Sequence, residues 1–593
     1  MIAATGLAML TWTWRGWPDP LVDYGREVHA AWRIANGKTL YVDLVHFCGP
    51  LSVYLNAFFF RLFGTSVLTI ALCNAALTAL FTVLLYGLLV RLASRFAATV
   101  ACVVFVITFA FGQFTRIADY NWLCPYSYEL VHGTMCAVAA LWCLDRYHRT
   151  RRIAWIAGTG FALGLVVLTK AEPLFAAVPA VTVGLVLTLV AERPDARRTV
   201  TILAAFAGAA AIAPAIAFVW FASAMPVAEI LRWPLGHWRT VAQPEFATSS
   251  FYRTGMGTDN VGSNLTKLGT ALVCWIALLG LAAGGAAAAR RVRLPAIALA
   301  AVLVAFAVPV WALVSDMGWY DSLRPLPLLV GGIAVASFAS FVRHRDDVDR
   351  ALLLALRTSL AVFALALLAK IVLNVRFFQY GFVLAMPATM VLIVGLIHWL
   401  PAALDRRGMH GAVVRAAGLG VLVAALAAQL GIMHMLFKAK VHVVGEGADA
   451  FYTDERGLVM RDIVRDVRAR VAPDETLLGM PEGVMVNFLA RRASPLPFYS
   501  YDGTSRLLWG SKSMRELLGE RAADYVLLLD RGNRGSRLPV IGHDYFKTWY
   551  ASVQRDYRPV ARFGATPFES QRPGATLLRR DRAAATTPPD PGG

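Results

Sequence analysis

Charged residues are scarce in this 593-residue chain: Asp, Glu, Lys and Arg together make up 16% of it, against 58% hydrophobic residues. A soluble protein of this length would expose too much apolar surface to water, which excludes an ordinary globular protein for most of the chain. Apolar runs of about 17–25 residues, the length that crosses a hydrocarbon core of ~30 Å, recur as far as residue 436 and then stop. The sequence therefore predicts a bundle of membrane helices followed by a soluble C-terminal domain.

Cysteine is also sparse, with seven residues and none beyond residue 274. Their spacing matches no zinc or iron–sulfur ligand set, so we predict no metal site and no cofactor, and no motif indicates a divalent cation. The C-terminal part lacks a Gly-rich phosphate loop and a nucleophile motif. Residues 2–14 lack a small-residue cleavage site, so we interpret them as a first membrane helix and not as a signal peptide.

The net charge of +19 lies largely in short loops between apolar runs, which indicates a topology signal and not a nucleic-acid-binding surface. Six basic loops follow every second span, so all six can be cytoplasmic at once; they are residues 91–95, 146–152, 193–198, 290–293, 343–350 and 406–415. This frame predicts about 13 spans, with the N-terminus in the cytoplasm and the C-terminus outside. The spans are residues 2–14, 67–90, 96–114, 128–145, 153–170, 173–191, 199–222, 265–288, 294–314, 325–342, 351–374, 379–400 and 414–436.

The loops on the predicted outer side carry the Trp, Tyr, Asp, Glu and His residues that are typical of a binding site. These loops are residues 15–66, 115–127, 223–264, 315–324 and 375–378. Residues 50–63 are apolar, but counting them as a span would place Arg91 and Arg146 on opposite sides. We therefore predict an interfacial helix there, and we expect the working face to be the outer one.

The first outer loop contains Asp23-Tyr-Gly-Arg-Glu27, followed by Leu40-Tyr41-Val-Asp43 and Cys48-Gly-Pro-Leu51. Asp23 and Glu27 are predicted to share one face of a helix that begins near Asp19 or Asp23, where an acidic residue also suits an N-cap. A capped amphipathic helix at the interface, without catalytic function, is the alternative interpretation.

These segments resemble the first outer loop of GT-C membrane glycosyltransferases, in the group that contains protein O-mannosyltransferases and lipid A aminoarabinose transferases. The resemblance covers about residues 1–440 and implies that Asp23 is the general base or the carboxylate that orients the acceptor. Glu27, Tyr41 and Asp43 would then bind substrate. Where relatives commonly have Lys-Pro-Pro-Leu, this chain has Cys48-Gly-Pro-Leu, so no lysine is available there to hold a phosphate.

Five further residues are predicted to bind substrate. Glu129 and His132 lie three positions apart at the start of a span, where a titratable pair is costly unless it serves a polar cavity. Lys170, Lys370 and Arg376 lie near the outer ends of spans, against the positive-inside trend, and this favours an anion such as a polyprenyl phosphate headgroup. The alternatives are an interfacial aromatic belt with one capping acid for the first pair, and snorkelling anchors for the three cations.

The domain organisation follows from these patterns: residues 1–440 form the membrane domain, 441–582 a soluble extracytoplasmic α/β domain, and 583–593 a disordered Pro- and Thr-rich tail. In the soluble domain, strands are predicted at residues 476–479, 525–530, 560–563 and 575–579, and helices at residues 483–491 and 545–557. Alternating strands and helices are typical of a small layered α/β structure.

The expected function is transfer of a sugar from a polyprenyl-phosphate donor to a lipid, glycan or protein acceptor at the outer face of a bacterial inner membrane. Displacement assisted by a single base would invert the anomeric centre. A transporter or lipid flippase is the alternative. It predicts internal repeats and polar residues along a path through the midplane, and neither is evident in the sequence.

Overall fold

The structure is a computed structural model that describes residues 1–242, 244, 248–291, 294–317, 319–531, 539–569 and 572–581. It is a mainly helical bundle with a small C-terminal sheet, as predicted. The predicted disordered tail, residues 583–593, lies outside the described residues. The helices of the first 440 residues are Ile2–Trp12, Tyr24–Ala35, Leu51–Phe63, Val67–Leu92, Arg95–Val104, Tyr128–Thr150, Ile153–Val167, Ala171–Glu192, Ala196–Ala222, Val227–Arg232, Ser250–Met256, Val261–Ala288, Ala296–Met317, Leu326–Arg343, Val348–Leu368, Gly381–Leu384, Met386–Val394, Leu400–Asp405 and Gly411–Lys438.

Shorter turns extend or connect these helices. The π-helical turns are Phe105–Ala110 and Gly395–Trp399, and the 3₁₀ turns are His237–Ala242, Ala289–Arg291, Trp319–Leu323 and Ala369–Ile371. Every predicted span coincides with a helix or with a helix continued by such a turn. Within the described residues, nine helical stretches are long and apolar enough to cross a membrane, and four shorter apolar helices accompany them.

The predicted interfacial element, residues 50–63, forms the Leu51–Phe63 helix. Its 13 residues span about 20 Å at 1.5 Å per residue, less than a hydrocarbon core of ~30 Å, but the helix of the predicted first span, Ile2–Trp12, is shorter still with 11 residues, so length does not separate the two. Gly64 then takes a φ of +88°, which glycine adopts without strain, and Ser66 caps the next helix by accepting a hydrogen bond of 3.0 Å from the Thr69 N–H. The chain can thus turn directly from the interfacial helix into the Val67–Leu92 span.

The centre of the bundle is formed by the spans that bury most of their surface. The buried share of the apolar 18-residue stretch within each span is 83% for Gly381–Asp405, 67% for Val348–Ile371 and 56% for Ala171–Glu192, whereas it is only 6% for Ala296–Leu313. The peripheral spans expose large apolar side chains such as Ile297 and Val335. Water would not solvate such surfaces, but lipid does, so these spans form the perimeter of a membrane bundle.

The C-terminal domain contains six strands, five α-helices and one 3₁₀ turn, Gly447–Asp449, within its described residues. The strands are β1 His442–Val444, β2 Phe451–Thr453, β3 Leu477–Met480, β4 Tyr525–Asp530, β5 Tyr557–Gly564 and β6 Gly574–Arg580. The helices are Arg456–Arg470, Val484–Ala490, Gly503–Trp509, Ser511–Glu520 and Lys547–Asp556. All the strands and helices predicted from the sequence are present. The β1–β2 hairpin and three helices, Arg456–Arg470, Gly503–Trp509 and Ser511–Glu520, are additional.

The main sheet has the strand order β3-β4-β6-β5. Strands β3 and β4 are parallel, with Leu477 opposite Tyr525, whereas β6 is antiparallel to both β4 and β5. The β3–β4 crossover carries the Val484–Ala490 helix, which packs against the Tyr24–Ala35 helix of the first loop. The domain therefore lies at the end of the bundle that carries the first loop, which we call the domain end.

Candidate active site

Asp23 lies in a strained turn directly before the Tyr24–Ala35 helix. Its backbone has φ +60° and ψ −50°, and the Tyr24 N–H donates to the Val22 carbonyl at 2.7 Å. These are the features of a γ-turn with positive φ, a rare conformation for a residue other than glycine. The carboxylate of Asp23 accepts no capping hydrogen bond from the helix. The prediction that Asp23 and Glu27 share one face of a helix is therefore wrong, because Asp23 precedes the helix.

The protonation of Asp23 is set by burial and by charges from both domains. Burial raises the pKa of Asp23, and nearby Arg26 and Arg531 oppose this effect. Asp502 and Asp19 raise the pKa of Asp23 further. A carboxylate with a raised pKa is a better proton acceptor than an ordinary aspartate, provided that it is ionised at the working pH.

Asp19, the other acidic residue just before the Tyr24–Ala35 helix, has a structural role. One of its carboxylate oxygens accepts hydrogen bonds of 2.9 Å from the Leu21 and Val22 N–H groups, and the other accepts one of 3.1 Å from the Ala118 N–H. Arg456 of the C-terminal domain contacts the same carboxylate at 2.9 Å. Asp19 thus joins the first loop, the second loop and the domain.

Three tyrosines form a cluster next to Asp23 at the domain end of the bundle. The ring of Tyr126 lies 6.2 Å from that of Tyr120 and 6.0 Å from that of Tyr380. Burial raises the pKa of Tyr120 and of Tyr126, and the negative charge of Asp23 adds to both shifts. We refer to Tyr120, Tyr126 and Tyr380 as the tyrosine cluster.

The three predicted phosphate-binding cations surround this tyrosine cluster. The Nζ atom of Lys170 lies 5.5 Å from the centre of the Tyr126 ring, and that of Lys370 lies 3.9 Å from the centre of the Tyr380 ring. Arg376 stacks on Phe378 at 4.2 Å, and the Phe378 ring is 6.5 Å from that of Tyr120. Lys170 precedes the Ala171–Glu192 helix, whereas Lys370 and Arg376 lie on the segment that leads from the Val348–Leu368 helix to the Gly381–Leu384 helix, so two connections bring the three cations to the tyrosine cluster.

Lys370 has a partner that the sequence analysis did not assign. Its ammonium forms an ion pair with the carboxylate of Glu172, and the Lys370 side chain is 21% exposed. Arg376 donates to the amide oxygen of Gln379. Each of these cations thus has an existing partner, and an anionic ligand would have to compete with it or add to it.

The predicted pair of Glu129 and His132 is separated into two hydrogen-bond networks. Glu129 contacts His46 of the first loop at 3.2 Å and accepts a hydrogen bond of 2.7 Å from Ser127. His132 bonds instead to the hydroxyl of Ser52 at 3.0 Å and to the side chain of Asn74 at 2.7 Å. Both residues join the Tyr128–Thr150 helix to neighbouring segments, and they do not contact each other.

The remaining predicted residues of the first loop form contacts within it or with the second loop. Glu27 accepts a hydrogen bond from Arg26 at 2.6 Å and one from the Tyr128 N–H at 3.2 Å, and burial, followed by the charge of Glu129, raises the pKa of Glu27. Asp43 accepts from Lys38 at 3.1 Å and from the Thr39 N–H at 2.8 Å, in a local turn. The Tyr41 hydroxyl donates to the Cys48 carbonyl at 2.6 Å.

Sequence reasoning did not single out Asp119 in the second loop. Its carboxylate is 1% exposed, and within the described part of the chain neither oxygen has a hydrogen-bond partner. Burial raises the pKa of Asp119, and the charges of Asp19 and Asp23 raise it further. Asp119 is therefore a protonatable group beside Asp23, and no spacing in its sequence segment distinguished it from a loop residue.

An apolar cavity of about 100 Å³ lies between spans. Its lining is almost wholly apolar and consists of Val104, Thr108, Ala271, Cys274, Trp275, Leu278, Val310, Leu313, Ser322, Leu323, Phe377, Thr389, Leu392, Ile393, Leu396, Val421, Leu422, Ala425 and Leu426. Phe377 lines the cavity and directly follows Arg376 in the chain. In the described parts of the chain, no group of three His, Cys, Asp or Glu side chains is placed to hold a metal ion.

Comparison with known proteins bears on the resemblance noted from the sequence. Residues 48–220 match the family model for dolichyl-phosphate-mannose-protein mannosyltransferases. The chain resembles this GT-C group. The matched segment contains Glu129, His132 and Lys170 and ends before Lys370 and Arg376. No curated protein matches the chain.

Solved structures of two GT-C proteins align with the chain at low identity. The Archaeoglobus fulgidus oligosaccharyltransferase in complex with Zn and sulfate is 13% identical over 89% of this chain and 67% of its own, with a TM-score of 0.47. ArnT from Cupriavidus metallidurans, bound to undecaprenyl phosphate, is 13% identical over 97% of each chain, with a TM-score of 0.46.

Proposed function

We propose that this protein is a glycosyltransferase that moves a sugar from a polyprenyl-phosphate donor to a hydroxyl of a lipid, glycan or protein acceptor. The observation that carries the proposal is the convergence of the Asp23 carboxylate with Lys170, Lys370 and Arg376 around the tyrosine cluster. The match of residues 48–220 to a family of lipid-phosphate-sugar transferases supports the same reaction class.

In this mechanism Asp23 is the general base. It accepts the proton of the acceptor hydroxyl as that oxygen attacks the anomeric carbon, and the bond from this carbon to the phosphate oxygen breaks. The lipid phosphate leaves with the bonding electron pair, and the anomeric configuration inverts. Charge-assisted hydrogen bonds from the three cations stabilise the negative charge that develops on the leaving phosphate.

The apolar cavity between spans supports a lipid-linked donor. A polyprenyl chain requires an apolar surface that opens to the membrane, and its phosphate requires cations at the end of that surface. The cavity provides an apolar surface between spans, and Phe377 in its lining directly follows Arg376 in the chain. The sugar attached to the phosphate would then lie toward the tyrosine cluster, whose rings suit contact with the faces of a sugar.

The proposed location is a bacterial inner membrane, with the N-terminus in the cytoplasm and the domain end outside. The six basic loops support this orientation, because Lys and Arg are retained on the cytoplasmic side. The first loop, the second loop and the C-terminal domain contact one another through Asp19, so they share one side of the membrane.

The test uses the purified full-length protein in detergent with a panel of polyprenyl-phosphate sugars. Mass spectrometry follows the formation of free polyprenyl phosphate and of glycosylated acceptor, and envelope lipids and glycans of a deletion strain identify the natural pair. We expect one donor to be consumed and the product to have the inverted anomeric configuration. Facilitated movement of the donor across vesicle membranes without chemical conversion would instead support the transporter alternative.

A further inference from the structure

The C-terminal domain contacts the proposed base directly, through the turn that follows β3. Glu482 lies in this turn, and its Oε1 atom accepts a hydrogen bond of 3.0 Å from the backbone N–H of Asp23. The side chain of Glu482 is 11% exposed and forms an ion pair with Arg531, which directly follows β4. Two neighbouring strands of the domain sheet therefore hold one carboxylate against the γ-turn.

We infer that Glu482 is a positioning residue that holds Asp23 in its strained turn, so that the C-terminal domain completes the active site. This inference rests on the proposed function of Asp23. A γ-turn with positive φ is strained for a residue other than glycine, and it persists only when the surroundings impose it. The hydrogen bond to Glu482 fixes the backbone N–H of Asp23, the residue whose backbone dihedral angles are strained.

Close backbone packing beside this hydrogen bond restrains the turn further. Gly25, two residues beyond Asp23, lies against the start of the Val484–Ala490 helix. A Cβ atom at Gly25 would lie 2.6 Å from the Met485 nitrogen and 2.9 Å from its Cα atom, so a side chain there would force the two segments apart. The approach that glycine permits brings Glu482 within reach of the Asp23 amide.

The domain also contributes charge and an aromatic surface next to the turn. Arg531 and Asp502 lie close enough to act electrostatically on Asp23, with opposite signs. Arg26, which follows in the first loop, lies 5.5 Å from the ring of Tyr499 and 5.6 Å from that of Phe47. One wall of the site is therefore built from residues of the C-terminal domain.

A second contact between the domains provides a matched control. The carboxylate of Asp449 accepts a hydrogen bond of 3.0 Å from the Val67 N–H and pairs with Arg491 at 2.7 Å. Like Glu482, Asp449 is an acid of the domain that binds a backbone amide of the membrane part and an arginine of its own domain. Asp449 supports the start of a span and no part of the proposed site. A variant at Asp449 therefore measures how much activity is lost when a contact between the domains is weakened away from the site.

The experiment compares Glu482→Ala, Glu482→Asp, Glu482→Gln and Asp449→Ala in the full-length protein. Misplacing a catalytic group by about 1 Å lowers turnover by up to about 100-fold, so Glu482→Ala and Glu482→Asp should lower kcat about 10- to 100-fold with little change in KM. Glu482→Gln retains an oxygen that accepts the Asp23 N–H and should keep most of the activity. Asp449→Ala should leave kcat within about twofold of wild type, because Asp449 bonds to the start of the Val67–Leu92 span and to Arg491, and neither belongs to the proposed site.

Hydrogen–deuterium exchange gives a readout that does not depend on activity. The peptide that contains Asp23 should exchange faster in Glu482→Asp and at the wild-type rate in Glu482→Gln. Equal loss of kcat in Glu482→Ala and Asp449→Ala, or unchanged exchange at Asp23 in Glu482→Asp, would overturn the inference. If the wild-type protein transfers no sugar, the proposed function fails, and the exchange data still decide whether Glu482 holds the turn.

Discussion

Replacing Asp23 with asparagine tests the proposed chemistry with little disturbance of the structure. Asparagine has the same shape and is among the residues that tolerate positive φ best, so the γ-turn at φ +60° should persist. The aspartate side chain does not cap the Tyr24–Ala35 helix, so no capping energy is lost. The substitution therefore removes mainly the ability to accept a proton.

The expected loss follows from the usual contribution of a general base. Such a group accelerates a reaction by about 10²- to 10⁴-fold, which corresponds to about 2.7–5.4 kcal/mol of activation free energy. We expect kcat of Asp23→Asn to fall by at least about 100-fold, with KM for the lipid donor nearly unchanged because the phosphate contacts remain.

The assay measures initial rates of polyprenyl phosphate release with the cognate donor, with Glu27→Gln and Asp43→Asn as comparison variants. Both comparison variants also remove a carboxylate from the first loop, and neither removes the proposed base, so they should retain more activity. Because burial raises the pKa of Asp23, the wild-type rate should fall on acidification at a pH above the ordinary aspartate range. Near wild-type turnover in Asp23→Asn would refute the assignment.

Three further predictions test the donor site, a buried lysine and the topology. Methionine replaces Lys170, Lys370 or Arg376 in three single variants. At least two of the three should bind the polyprenyl-phosphate sugar more weakly than wild type in a titration with the donor. Burial lowers the pKa of Lys440 from 10.5 to about 8, so the folded state binds fewer protons than the unfolded state between these values. Stability relative to Lys440→Met should therefore rise by about 3 kcal/mol from pH 8 to 10.5, and a flat difference in thermal unfolding would contradict this. The topology is tested by placing single cysteines at the exposed positions Asn36, Lys512 and Arg345. In intact cells, a membrane-impermeant thiol reagent should label the first two and not the third. Labelling of only one of the first two would contradict the orientation.

The spans and the domain sheet were predictable because their signals are local. An apolar run such as residues 67–90 is recognised by its own length, and the Gly64 and Ser66 positions mark the turn that precedes it. Strand β4, residues 525–530, is an apolar run of β-sheet length between polar segments. Each of these patterns depends on neighbouring residues and on burial, so no tertiary information was needed.

The composition of the site was less predictable because its contacts join distant parts of the chain. Glu482 binds an amide 459 positions away, and Lys370 pairs with Glu172 from 198 positions away. Spacing within one segment carries no information about such pairs. It also grouped Glu129 and His132 as a pair, whereas the two residues bond to different partners, Glu129 to His46 and Ser127 and His132 to Ser52 and Asn74.

The contact between Gly25 and Met485 has a consequence for chimeric proteins. The boundary near residue 440 invites the exchange of whole C-terminal domains between related chains. A foreign domain with a different backbone path at the β3 turn, or a first loop with any side chain at position 25, would prevent the two surfaces from closing. Functional hybrids should therefore require the first loop and the C-terminal domain to be inherited from the same parent.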